Sequence, residues 1–439
     1  MIGTLNSLYR IPDLRKRITF VLLMCIVYRV GGMIPVPGIN AQALMSYMSS
    51  MSNTLFGLYD MFVGGSFKKM TIFALGIMPY ISASIIIQLL QSVVPFFQRL
   101  TKEGEEGRKK ITQFTRYGTV LLSAAQALAI AKWLDSLSPI GGVPIVINPG
   151  FGFTMLVMIT VIAGTVFLMW LGEQMTEHGI GNGISMIIFI GIIDRFPFAI
   201  KNQITELIAG TLNIFSFIIM LGLMVVIVGA VVILTQGQRR IRVQYPKKVI
   251  GRKIYGGQST YIPLRVNTAG VIPIIFAQAI MFVPGTVATF IPMDFFRQVQ
   301  AWFTMTSPIY WTFYAVLIIF FTYFYTAIVF NPVDLADNLK KYGAVIPQKP
   351  PGKKTAEHID KILTRITLPG SIALAIIAIL PYFMIRFGKV NPEFAQFFGG
   401  TGLLIVVGVM LDTLQQIEAK MVERHYEGLL KGARVRGRR

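Results

Sequence analysis

Charge is scarce in this chain. Of its 439 residues only 14% are Asp, Glu, Lys or Arg, while 54% are hydrophobic. Soluble domains carry about a quarter charged residues, so an ordinary water-soluble enzyme is excluded. Cysteine is scarcer still: Cys25 stands alone, which rules out an internal disulfide or a multi-Cys metal site. The three histidines (His178, His358, His425) lie far apart, and neither H-E-x-x-H nor the phosphate-cradling G-x-x-x-x-G-K-[ST] occurs, so ATP hydrolysis is not expected. Glu173 and Glu177, four apart and beside His178, come nearest to an acid–base cluster. Gly179, Gly181 and Gly183 follow at once, which fits a polar turn between spans better than a site, and no strand precedes them as a dinucleotide fingerprint requires. No carboxylate or His falls clearly at the middle of an apolar run, which counts against an ion-coupled transporter. Acids are outnumbered as well, 20 against 41 Lys and Arg, giving a net charge of +21. In so apolar a chain this excess points to basic loops beside a membrane, facing anionic lipid, nucleic acid or an acidic partner.

What the chain has in quantity is long apolar runs. A helix needs about 20 mostly apolar residues to cross about 30 Å of hydrocarbon. Ten stretches qualify: 18–34, 71–92, 114–134, 153–171, 184–200, 213–235, 268–290, 308–330, 368–387 and 397–415. The first follows Arg15-Lys16-Arg17 and imitates a signal peptide, but no small-x-small cleavage site appears and the run continues to Pro37, so it reads as a span. Ten spans place both termini on one side. With the N-terminus cytoplasmic, 32 Lys and Arg lie on that face and eight on the other, with Arg29 inside the first span. The positive-inside rule therefore sets the orientation. Ionisable residues within the spans are few. Arg29 and Arg386 are expected to snorkel from outer ends, Asp194 and Arg195 adjoin an outer boundary, and the mid-span polar groups are Gln88 and Gln278, with Asn267 at the head of the seventh span.

One segment fits no span. Ser52 to Ser66 is apolar but fifteen residues long and contains Asp60; at 1.5 Å per residue it is too short to cross. It is either a re-entrant element covered by protein or a water-filled cavity, or an amphipathic helix on the outer surface. On the cytoplasmic side the loops at 236–266 and 331–367 are far longer than a hairpin needs. Alternation of Ile241, Val243 and Tyr245 with charges suggests a β-ribbon in the first; Pro350-Pro351-Gly352 and then a helical run from Thr355 to Arg365 mark the second. Five spans precede and five follow a linker near 201–212, the arrangement of an inverted repeat. The expected halves are 1–206 and 207–439.

Several motifs resemble the SecY family, whose members form the core of the bacterial protein-conducting channel. They are Ile34-Pro35-Val36-Pro37-Gly38-Ile39, the stretch from Ile72 to Leu90, Trp170 to Ser185, Gly270 to Phe276, Phe330-Asn331-Pro332, and Ala336 to Lys341. The resemblance implies an all-α polytopic membrane fold of ten helices, in two five-helix halves around a pore, with a short re-entrant plug. It implies a plug built from Leu55, Phe56, Leu58, Tyr59, Met61, Phe62, Gly64 and Gly65, and a pore ring of Ile77, Ile81, Ile188, Ile275 and Ile405. An apolar collar offers water and ions no partners, so it dewets and seals, yet slides along any polypeptide. Gln88 and Asn267 match polar positions of a lateral gate. Lys247, Lys248, Arg252, Lys253, Lys340, Lys341 and Lys349 match docking surfaces for the ribosome and the SecA motor ATPase.

The implied partners are SecE and SecG, SecA, the ribosome, signal-bearing polypeptides and anionic lipid. No catalytic residue, metal or cofactor is implied, and the location is the bacterial inner membrane with both termini cytoplasmic. The alternative reading is an inverted-repeat secondary transporter of a small solute. One departure stands out: where the family carries an Arg before a Pro-Gly pair, this chain has Gln348-Lys349-Pro350-Pro351-Gly352. Lys349 brings a point charge without the guanidinium fork.

Overall fold

The computed structural model describes residues 11–50, 55–137, 139, 143–210, 214–245, 247–250, 253–256, 259–290, 307–388, 394–395, 397 and 400–432. A helix covers each of the ten expected stretches, wholly or in part. Helix α1 (Pro12–Gly31) opens with proline in its first turn, where the missing N–H costs nothing. Two short helices follow, α2 (Ala41–Ser50) and α3 (Leu55–Phe62). The second expected span begins late. Residues 71–77 form turns, and α4 (Met78–Val93) starts after Gly76, whose φ of +56° suits glycine. At Val94–Pro95 the chain bends by 94° into α5 (Pro95–Lys102), since Pro95 can neither donate to nor fit within a continuing helix.

Three long helices complete the first stretch of the fold: α6 (Glu105–Asp135), α7 (Phe151–His178) and α8 (Gly183–Ile208). Then come α9 (Ile214–Gln236), α10 (Ile272–Phe290), α11 (Pro308–Val329), α12 (Pro332–Lys341), α13 (Lys353–Gly388) and α14 (Thr401–Gly432). Among the described residues six helices are each long and apolar enough to cross a bilayer, or seven if α4 and α5 form one bent span. Helix α1 misses that test because Arg15, Lys16, Arg17 and Arg29 interrupt it.

The chain divides into two compact units, one of residues up to Ile204 with those from Ile405 onward, the other Thr205–Leu404. In the first, α4 packs on α6 and α6 on α7. Small residues set these distances: a Cβ on Gly118 would lie 3.4 Å from that of Ala83, and Gly164 leaves room for the Ile72 carbonyl. Arg116 donates to both carboxylate oxygens of Glu173, at 3.0 and 2.7 Å, tying α6 to α7. The turn Gly179–Gly183 is capped: Asn182 Oδ1 accepts from Ile184 and Ser185, and Gln416 Oε1 of α14 accepts from Gly181.

In the second unit, α13 runs unbroken from the second long loop into its span through Pro369, and packs on α11. Tyr310 and Tyr382 meet across that contact, with hydroxyls 3.4 Å apart. The loop after α9 is the expected ribbon. Strand β1 (Gln238–Gln244) pairs antiparallel with β4 (Ser259–Arg265), and β2 (Lys247–Ile250) with β3 (Lys253–Gly256). The two long loops are not separate. Ile241, Val243 and Leu264 of the ribbon share one buried core with Leu339, Ala344, Ile346, Ile359 and Leu363 of the second loop. A bridge between Gln244 and Val345 closes its edge, with both N–H···O distances at 2.9 Å.

A shared core predicts coupled damage. Ile359→Ala removes a fully buried side chain and should cost about 2–4 kcal/mol locally. Limited proteolysis should then cut the ribbon at 238–265 as well as the mutated loop; cutting confined to 331–367 would mean the two loops fold separately.

Candidate functional site

The short apolar segment is buried. Tyr59, Met61, Phe62 and Val63 are all inside, and Asp60 is 1% exposed, so this is no surface helix. Side chains of Leu55, Phe56 and Leu58 are outside the described set, although their backbone forms the start of α3. The chain from Val63 to Ile77 is non-helical, and its backbone groups find partners one by one. Gly65 N donates to Asp60 O (2.8 Å) and Thr71 N to Ser66 O (2.9 Å). The Ile34–Ile39 motif pairs with the returning strand: Val36 N donates to Met70 O (2.8 Å) and Ile72 N to Ile34 O (3.0 Å). Tyr59 Oη donates to Leu75 O at 2.8 Å, and Tyr28 Oη to Val63 O at 3.3 Å. Met70 accepts a φ of +43°, an unfavourable conformation for a non-glycine residue, at a cost on the order of 1–3 kcal/mol that this pairing offsets.

Glycines make the seat close-fitting. A Cβ on Gly191 would lie 2.9 Å from Phe62 O and 3.3 Å from Gly64 N, and one on Gly76 would lie 3.0 Å from Val63. The end of α3 therefore rests on α8 and on the turn that leads into α4. Two ion pairs reinforce the seat. Arg195 of α8 pairs with Asp60, whose Oδ1 also accepts from Lys68 N at 2.7 Å. Arg29 Nη2 lies 2.5 Å from Asp194 Oδ1. Where snorkelling was expected of Arg29, its guanidinium pairs within the protein with a carboxylate one turn from the seat.

Ile77 and Ile188 flank this seat. Ile77 follows Gly76, and Ile188 precedes Gly191 by three positions, close to one helical turn. Ile77, Ile81 and Ile188 are buried in the first unit, as is Ile405 at its boundary; Ile275 is buried in the second. Ile81 N donates to Ile77 O at 3.1 Å, which puts the two side chains on one helix face. Gln88 and Asn267 belong to different units. Gln88 Nε2 donates to Ser84 Oγ (3.1 Å) along its own helix, and Asn267 Nδ2 to Gly270 O (3.0 Å), leaving buried Asn267 Oδ1 without a partner. Gln278 Oε1 accepts from Tyr314 Oη at 3.5 Å, a weak bond.

Of the basic set, Lys340, Lys341 and Lys349 are exposed on and beyond α12. Lys247, Lys248 and Lys253 are placed by backbone on β2 and β3, and Arg252 between these strands is outside the described residues. The turn at the family departure is held by Thr355 Oγ1, which donates to Pro350 O at 2.8 Å, while Gln348 takes φ +65°.

A family model described as SecY matches residues 71–414. The chain belongs to the SecY family. The protein translocase subunit SecY of Escherichia coli strain K12 is 45% identical over 429 residues, covering 97% of this chain and 96% of that one. The SecY of Halalkalibacterium halodurans is 47% identical, covering 98% and 100%. Two solved structures share the fold, each at 17% identity and covering 96% of this chain and 95% of theirs. One, with TM-score 0.64, is of a SecY protein whose plug domain stabilises the closed state of the translocation channel and maintains a membrane seal. The other, with TM-score 0.61, is Sec61 in the canine ribosome–channel complex from the endoplasmic reticulum. The protein is thus an all-α, multi-pass protein-conducting channel subunit, and membership of the SecY family sets aside the solute-transporter reading.

Sequence reasoning missed the two ion pairs. Their signal was present in Asp60 within an apolar segment and in adjacent opposite charges at 194 and 195, but nothing local says which charge meets which. The glycine seat gives a direct test. Gly191→Val should push the end of α3 away from α8. With Cys25 replaced by Ser and Met61 by Cys, this variant should label with a membrane-impermeant maleimide several times faster than its Gly191 parent. Equal rates would mean that Gly191 does not hold the seat.

Proposed function

We propose that α3 with its return to Gly65 is the plug of this SecY channel, and that Ile77, Ile81, Ile188, Ile275 and Ile405 are its constriction. The observation that carries the reading is the seat itself: a short buried segment between Gly76, next to Ile77, and Gly191, one turn from Ile188. An apolar collar and a plug are redundant seals. The collar excludes ions by offering no partners for their hydration shells, and remains non-specific toward the side chains of a passing polypeptide. Gln88 and Asn267 are the polar positions of the lateral gate, through which apolar segments leave for lipid. Interhelical hydrogen bonds in lipid are worth about 1 kcal/mol or less, weak enough for a signal sequence to displace.

The chain is not an enzyme in this reading. Energy comes from the SecA motor ATPase or a translating ribosome, which dock on the ribbon and on the loop bearing Lys340, Lys341 and Lys349. SecE and SecG complete the complex. The location is the bacterial inner membrane, with both termini cytoplasmic and the basic loops against anionic lipid. At the departure near Lys349, a Lys contact to the motor replaces an Arg contact, without its bidentate geometry. The halves 1–206 and 207–439 move as the two sides of a clamshell.

Two measurements test this reading. Replacing Ile81 and Ile275 together by Ser should wet the collar and raise resting ion conductance in planar bilayers. Unchanged conductance, with residues 55–65 also deleted, would remove those positions from the barrier. Ribosome binding through Lys247, Lys248, Arg252 and Lys253 should weaken steeply with salt, because each neutralised phosphate releases counterions. Arg252→Glu with Lys253→Glu should flatten that slope in co-sedimentation of detergent-solubilised protein. An identical slope and affinity would leave these charges as topology signals alone.

A further inference from the structure

Asp194 and Arg195 are consecutive on α8 yet pair with different elements. Asp194 meets Arg29 of α1, while Arg195 meets Asp60 in the last turn of α3. Positions 191, 194 and 195 share one helix face, so the glycine that admits the α3 backbone and the two charges belong to one surface. Arg195 lies flat over Gly65, where a Cβ would come within 2.5 Å of the guanidinium and where φ is +83°. Asp60 is buried, with Lys68 N on one oxygen and Arg195 on the other. Arg195 keeps 23% of its side chain exposed. The four charges sum to zero.

We propose that Asp60 and Arg195, braced by Asp194 and Arg29, form an ionic catch that holds the plug on α8 and sets how readily this channel opens. The proposal rests on the assignment of α3 as the plug. Apolar contact alone grips over a short range and without direction, whereas a buried carboxylate cannot leave its partner until water replaces it. Departure of the plug strands two charges at once, Asp60 on the plug and Arg195 on α8, so the catch resists partial opening. Once water fills the pore both charges are solvated and the catch contributes little, which favours two states over a continuum. The brace holds the same α8 turn: Arg29 neutralises Asp194, leaving Arg195 as the charge that faces the plug.

The test uses the complete channel complex as purified, in planar bilayers without substrate. Asp60→Asn and Arg195→Gln should each raise resting conductance by about tenfold or more, as expected for loss of one partner of a buried pair. The neutral double variant should leak as well, since it too lacks a catch; sealing by the double variant while the singles leak would show that only charge balance matters, and would overturn the proposal. Arg195→Lys should stay within about twofold of wild type, because a catch that works by opposed charge keeps its pair. A leak equal to that of Arg195→Gln would assign the seat to guanidinium packing on Gly65 and reject the catch. If the plug-side variants do not assemble, Asp194→Asn, which loosens the brace alone, should give a smaller leak, and wild-type sealing there overturns the proposal. Deletion of residues 55–65 separates the two levels. Leakage by the deletion but not by the pair variants rejects the catch and keeps the plug; no leakage from either rejects the plug and the catch with it.

Discussion

A polypeptide backbone in a membrane must bond its own N–H and C=O groups, and the stretch between α3 and α4 is where this protein meets that demand without a helix. From Val63 to Ile77 local turn bonds are joined by partners from elsewhere: the Ile34–Ile39 motif, the Tyr28 and Tyr59 hydroxyls, the Asp60 carboxylate. The other local features follow from this. Glycine stands at 64, 65, 76 and 191 because the chain passes close to itself, and α4 begins only when the turns have been closed. Irregular backbone is thus confined to a place where protein surrounds it.

The apolar runs were legible because hydrocarbon thickness leaves a length signature that no other environment imposes. The ribbon was legible from alternation of Ile241 and Val243 with charge. The start of the second span was not, because Ile72, Phe73, Ala74 and Leu75 are as apolar as the helix that follows, and composition cannot separate a buried turn from a buried helix. Only Gly76 hinted at the break. The ion pairs were illegible for a different reason. Arg29 and Asp194 are 165 positions apart, and a pairing of that range is a property of the fold rather than of any window of sequence. For the same reason nothing in either long loop announced the core they share: Val243 and Ile359 each look like one side of an ordinary half-buried surface.

Family membership fixes what the chain is, and the local geometry adds how this member arranges its parts. The five isoleucines are chemically interchangeable with dozens of others in the chain. What distinguishes Ile77 and Ile188 is their position beside the glycines on which the end of α3 rests. Charge plays the opposite part. It is rare in the apolar region, and around the seat it is placed in opposed pairs, Arg29 with Asp194 and Arg195 with Asp60.

The joint core of the two long loops also has a temporal side. Strands β1 and β4 are complete once residue 265 has emerged from the ribosome, but Ile359 and Leu363, which cover them, come nearly a hundred residues later. At bacterial-scale synthesis of about 5–20 residues per second, the apolar face of the ribbon stands uncovered for roughly 5–20 s. Two membrane helices, α10 and α11, must be threaded into the bilayer during that interval. The nascent protein therefore passes through a stage in which the apolar face of its ribbon is uncovered, until the second loop arrives.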